Sequence, residues 1–227
     1  MTPEPAPTAA PVASATASAA VVAAPPTSAP LSGEGKGEAS YYTADRSSCS
    51  LPPPPNKDFI LSAAKDIYQK AQACGACLEI SGAAGKAVVQ VADFCYSCPP
   101  GNLVLNKPAY DAIVGKTSGT GPVSWKMVPC AYAGNVSIHI KKSSSKDWTA
   151  VQIRESKIAI KSVEMQRAGQ DNWVETKRSD DNYWAAAKGA GLGGFKLRIT
   201  AINGQQIEEN IDKGWTDAKT YPGAHQF

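Results

Sequence analysis

The chain has 227 residues, with 23 Lys and Arg against 20 Asp and Glu for a net charge of +3, and 43% of its residues are hydrophobic. That is ordinary for a globular chain of one large or two small domains. The charge is too mild for nucleic-acid binding, which wants a concentrated basic face, and no apolar run is long enough for a membrane span.

Residues 1–34 are dominated by Pro, Ala, Thr, Ser and Val, with Glu4 and Glu34 the only charges. Such a tract cannot bury enough surface to fold and reads as a disordered linker. It lacks the basic start and unbroken apolar run of a signal peptide. An exported protein would therefore have lost its signal, and the tract would serve as a stalk that tethers it at a surface.

Next comes Asp58–Gln72, where Ile60, Ala63, Ala64, Ile67 and Ala71 recur at helical spacing and predict a helix. Lys86–Phe94 is rich in valine and reads as a strand, with Val88, Gln90 and Ala92 on one face and Val89, Val91 and Asp93 on the other. A short helix is expected over Lys107–Val114, then strands over Val123–Val128 and Val136–Ile140. Thr149–Arg154, Ile158–Arg167, Trp173–Lys177, Phe195–Ile202 and Gln206–Ile211 follow as strands at short intervals, the pattern of a small antiparallel sandwich. Trp125 and Trp173 read as core residues, whereas Trp148 follows the polar run Lys141–Asp147 and reads as exposed. The expected organisation is a first domain over 37–132 and a second over 135–227. Their net charges are +1 and +3, and Lys141, Lys142 and Lys146 form the densest basic cluster.

Cys49, Cys74, Cys77, Cys95, Cys98 and Cys130 all fall within 82 residues, and the rest of the chain has none. An even, dense set suits a disulfide-stapled extracellular domain. Cys74-x2-Cys77 and Cys95-x2-Cys98 also fit a four-thiolate zinc site. Zinc knuckles, however, sit on tight turns, and here a full strand intervenes with Cys49 and Cys130 left over. Disulfides are the expectation, with no metal and no cofactor; six cysteines allow fifteen connectivities and the sequence does not choose among them.

Several segments, taken in order, resemble a microbial expansin: Gly37-Glu-Ala-Ser-Tyr-Tyr42, Ala73-Cys-Gly-Ala-Cys77, Val89-Gln-Val-Ala-Asp93-Phe-Cys-Tyr-Ser-Cys98-Pro, Val123-Ser-Trp-Lys-Met-Val-Pro-Cys130, Asp147-Trp-Thr-Ala-Val-Gln-Ile-Arg154 and Tyr221-Pro-Gly-Ala-His-Gln-Phe227. The resemblance implies an all-β protein, a six-stranded double-psi β-barrel followed by an immunoglobulin-like carbohydrate-binding sandwich. It further implies a secreted, monomeric, non-hydrolytic protein that binds plant cell-wall polysaccharide (cellulose, hemicellulose or pectin) and loosens the wall. Fold kinship alone assigns no chemistry.

The resemblance also marks site residues. Asp93 would be the groove carboxylate, with Ser40, Tyr42 and Tyr96 lining a polysaccharide channel and Asn102 or Asn106 offering amides. The family pattern places a second Asp after the Cys-Pro-Pro-Gly turn, where this chain has Val104. Valine can neither donate nor accept a proton, so one groove carboxylate is left where glycoside hydrolysis needs two, and a glycosidase or lytic transglycosylase is disfavoured. A binding protein without loosening activity becomes the alternative. Asp45 and Asp111 are the nearby carboxylates available to compensate for the loss. In the second domain a row of three aromatics is implied, of which Trp148 matches one. Asp147 and either Asp180 or Asp181 replace the others, with Tyr183 and Trp184 close by as substitutes.

Overall fold

Gly121–Val128 alternates buried and exposed residues along most of its length, as a strand with one face on a core must. The computed structural model describes residues 33–43, 47–54, 59–212 and 214–227, which belong to one compact unit. The linker expected over 1–34 lies outside the described residues except for its last two, and Asp45 lies outside them as well.

Six strands close a barrel: β1 (Glu34–Tyr42), β2 (Ile60–Ala63), β3 (Cys77–Ser81), β4 (Lys86–Phe94), β5 (Leu103–Asn106) and β6 (Gly121–Val128), in the order β1-β5-β2-β4-β3-β6. The β1–β5 and β2–β4 pairs are parallel and the others antiparallel, which gives the double-psi arrangement. Leu61, Leu78, Ile80, Val89, Val91, Leu103 and Leu105 point inward and are essentially fully buried, with Trp125 beside them. Helix α2 (Lys107–Ile113), with Pro108 in its first turn, buries Ala109, Tyr110 and Ile113 against this core. Gly101 turns with a φ of 79°, and its carbonyl lies where a Cβ at residue 37 would have to go, so Gly37 lets the two segments touch.

The helix expected over Asp58–Gln72 is corrected. Residues 60–63 are β2, because the barrel offers them ladder partners on both sides, and only α1 (Lys65–Tyr68) is helical. Gln69, Lys70 and Ala71 then take positive φ values of 46°, 54° and 67° and end the helix. The cysteines pair as Cys49–Cys74, Cys77–Cys130 and Cys95–Cys98, so the zinc alternative is set aside.

The sandwich has a four-stranded sheet, β10 (Val174–Glu175), β9 (Ile160–Arg167), β13 (Phe195–Ala201) and β14 (Gln206–Ile211). Facing it is a five-stranded sheet, β11 (Lys177–Arg178), β12 (Trp184–Ala186), β8 (Thr149–Arg154), β7 (Ser137–Ile140) and β15 (Thr220–Pro222). Val163, Met165, Leu197, Ile199, Ile138, Ile140 and Val151 fill the space between them. The single strand expected over Trp173–Lys177 is two short ones on opposite sheets. Thr176 makes the switch: it is buried, and both its N–H and its hydroxyl donate to the Val163 carbonyl. Trp173 is not core as expected but half-exposed, with the Arg198 guanidinium 4.1 Å from its ring centroid.

Barrel and sandwich meet through buried polar contacts. Gln152 Nε2 donates to the Cys49 carbonyl at 2.9 Å, and the Cys130 N–H to the Lys157 carbonyl at 2.8 Å. Arg178 donates through Nη1 to the carbonyls of Gln72 and Ile160, both at 3.2 Å, and through Nε and Nη2 to Asn182 Oδ1. Burial pushes its pKa down, but a guanidinium remains charged at neutral pH, so these acceptors are what make the buried cation tolerable.

Candidate polysaccharide-binding groove

A β-bulge aims the key side chain. Strict alternation would put Asp93 on the inner face with Val89 and Val91, as expected from the sequence. Between Leu61 and Ser62 the register slips by one, so Leu61 faces Val91 while Ser62 faces Asp93. Ala92 is the extra residue, and its carbonyl is taken by the Ser47 hydroxyl at 2.8 Å and the Cys49 N–H at 3.1 Å. The slip turns Asp93 to the outer face, a common use of bulges.

There it completes a lateral row across four strands. Ser40 on β1 is in register with Val104 on β5, Val104 with Ser62 on β2, and Ser62 with Asp93 on β4. Tyr42, half-buried, stands one step along β1, opposite Asn106. Asn106 and Asn102 are already occupied: Asn106 Oδ1 accepts the Ile60 N–H at 3.3 Å and Asn102 Oδ1 the Glu38 N–H at 3.0 Å.

Asp93 is held on both oxygens. Oδ1 accepts the Ser48 N–H at 2.8 Å and the Ser48 hydroxyl, and Oδ2 accepts the Ser62 hydroxyl at 3.1 Å. Partial burial pushes the carboxyl up, but the Ser48 hydroxyl and N–H, the Phe94 N–H and the Ser62 hydroxyl outweigh it and hold the pKa below the usual carboxylate value. Phe94 stacks on Tyr68 at 4.7 Å, and Tyr96, 90% exposed, meets Phe94 edge-on at 6.0 Å. Burial, and then the nearby Asp93 charge, push the Tyr68 hydroxyl up to about 12, so it stays protonated and donates to the Asp180 carbonyl at 3.0 Å.

Across that contact lies the outer face of the five-stranded sheet. His139, Gln152 and Ala150 point outward, opposite to Ile138, Ile140 and Val151, and Trp148 and Tyr183 extend the outward rows of β8 and β12. Trp148 is 41% exposed. Tyr183 faces outward yet is only 7% exposed, and Trp184 points inward into the sandwich core. Trp184 is therefore corrected as a binding residue, since a ring packed in the core offers no face to a ligand. Asp147 pairs with Lys146 at 2.8 Å, Asp181 with Lys141 at 2.5 Å, and Asp111 with Lys107 on α2 at 2.5 Å.

The Expansin C-terminal domain family model matches residues 136–211. Expansin-YoaJ of Bacillus subtilis is 32% identical over 162 residues that cover 70% of this chain and 68% of that protein. The chain belongs to the expansin family. The crystal structure of the ligand-free Clavibacter michiganensis expansin matches with a TM-score of 0.78 at 26% identity, over 85% of this chain and 97% of that one. A point mutant of the same protein in complex with cellohexaose matches to the same extent.

The expansin fold brings Ser40, Tyr42, Val104 and Asp93 onto one face, with Tyr96 projecting beside them, while Trp148 stands on the sandwich. Ser48, Ser62 and Tyr68 were missed: Ser62 and Tyr68 lay in the supposed helix, and Ser48 was hidden beside a disulfide cysteine. Chemically, a general acid for glycoside cleavage needs a raised pKa and a partner carboxylate. Asp93 has a lowered pKa, and its row holds valine where the partner would stand. What the row offers is a fixed anion between hydroxyls, suited to accepting hydrogen bonds from sugar hydroxyls.

Proposed function

We propose that this expansin binds plant cell-wall polysaccharide, cellulose or hemicellulose, along the face running from the Asp93 row to Trp148, and loosens glucan contacts without hydrolysis. The carrying observation is the row Ser40, Val104, Ser62, Asp93, which has one hydrogen-bonded carboxylate and no acid partner. The cellohexaose held by the related Clavibacter protein supports a glucan-type ligand. Three disulfides support an oxidising, extracellular setting, where a wall-active protein would work. A second reading is favoured by Val104 itself: the protein binds carbohydrate, and loosening is lost with the missing Asp. The test is depletion of the protein onto cellulose and xyloglucan, with reducing ends measured in parallel. Bound protein with no new reducing ends is expected, and accumulating reducing ends would overturn the non-hydrolytic reading.

A further inference from the structure

Tyr183 is an outward-facing aromatic on the proposed binding face that is nonetheless covered. The register that pairs Trp184 with Val151 puts Tyr183 opposite Gln152, four residues from Trp148 along β8, or roughly 14 Å at strand spacing. Gln152 also donates to the Cys49 carbonyl of the barrel, so Tyr183 lies on the barrel side of Trp148, where a polysaccharide lying on both would cross it.

Its solvent side is closed by Lys141. The ammonium lies 4.7 Å from the ring centroid, within cation–π range, and the lysine side chain keeps 32% exposure, so it forms the outermost layer there. The cover is anchored. Lys141 Nζ donates to Asp181 Oδ2 at 2.5 Å, Asp181 Oδ1 accepts the Ser179 hydroxyl at 2.5 Å, and the Lys141 backbone N–H donates to the Ala150 carbonyl at 2.8 Å. His139 lies 6.2 Å away at the flank of the ring, leaving Lys141 over the face.

We infer that Lys141, clamped by Asp181, is a specificity-determining cap that denies the Tyr183 ring to a sugar and sets this protein's preference away from flat, crystalline cellulose. Stacking needs the C–H face of a pyranose on an open ring, and a cation seated on that ring excludes it. Trp148 is then the aromatic available on this face. The inference rests on the polysaccharide-binding reading.

The experiment is depletion binding to microcrystalline cellulose by wild type, Lys141→Ala, Asp181→Asn, Lys141→Ala/Tyr183→Leu and Trp148→Ala, with melting curves for each. Uncapping should tighten binding about three- to tenfold, the worth of one aromatic contact. Asp181→Asn, which unclamps the lysine, should move the same way by less, and the gain should vanish when leucine replaces the tyrosine. Lys141→Ala binding no better than wild type overturns the cap, and so does a gain that survives Tyr183→Leu. If Trp148→Ala alone abolishes binding, the polysaccharide reading stands whatever happens to the cap. If Trp148→Ala and wild type bind alike, that reading of the face fails.

Discussion

Replacing Val104 with Asp would restore the carboxylate that the family pattern expects, and the barrel register sets how strongly it should feel Asp93. Two strand spacings separate the positions, roughly 9.6 Å. Two unit charges at that distance repel by about 1.7 kcal/mol at an effective dielectric of about 20. Val104 is only half-buried, with Leu103 and Leu105 facing inward on either side, so the strand should survive the change. The new carboxyl, pushed up by Asp93, has a folded pKa above its unfolded value of about 3.9. Its penalty is therefore full at pH 7, where both groups are ionised, and fades as pH falls through that raised pKa. Urea denaturation at pH 7 and pH 4 measures it, and Val104→Asp should cost about 1–2 kcal/mol more at pH 7. Equal cost at both values would mean that residue 104 does not face Asp93, and the lateral row would be wrong.

Asp93→Asn loses charge-assisted bonds from Ser48 and Ser62, which should cost about 2 kcal/mol at pH 7. Because the Asp93 pKa is lowered on folding, that difference is present above about pH 4 and should shrink as pH falls below it, which paired urea titrations of wild type and variant would show. Arg178→Met strands the Gln72 and Ile160 carbonyls and Asn182 Oδ1 between barrel and sandwich and should cost about 3 kcal/mol or more by the same method. Cys77→Ser/Cys130→Ser frees β3 from the segment after β6 and should cost about 2–5 kcal/mol, read as a fall in the urea midpoint.

The longer strands between turn residues were legible: Lys86–Phe94, Thr149–Arg154 and Gln206–Ile211 stand where the sequence pattern put them. Residues 60–63 were not, because a four-residue buried strand bonded on both sides needs no alternation, and its Ile and Ala spacing mimics a helix. The sheet switch at Thr176 was invisible for a similar reason, since two short strands in one stretch look like one. Asp93 was found by resemblance, but its direction depends on a bulge at Ala92 that only pairing with β2 reveals. Tyr183 lies in the neighbourhood the sequence suggested, yet its burial is tertiary, since Lys141 reaches it from 42 positions away.

Constant-load extension of heat-inactivated plant wall strips, with the protein or its Asp93→Ala variant added and sugar release assayed, is the direct test of non-hydrolytic loosening through the Asp93 row. Creep is expected with the wild type, little or none with the variant, and no released reducing sugar in either case. Creep accompanied by sugar release, or creep undiminished in the variant, would contradict it.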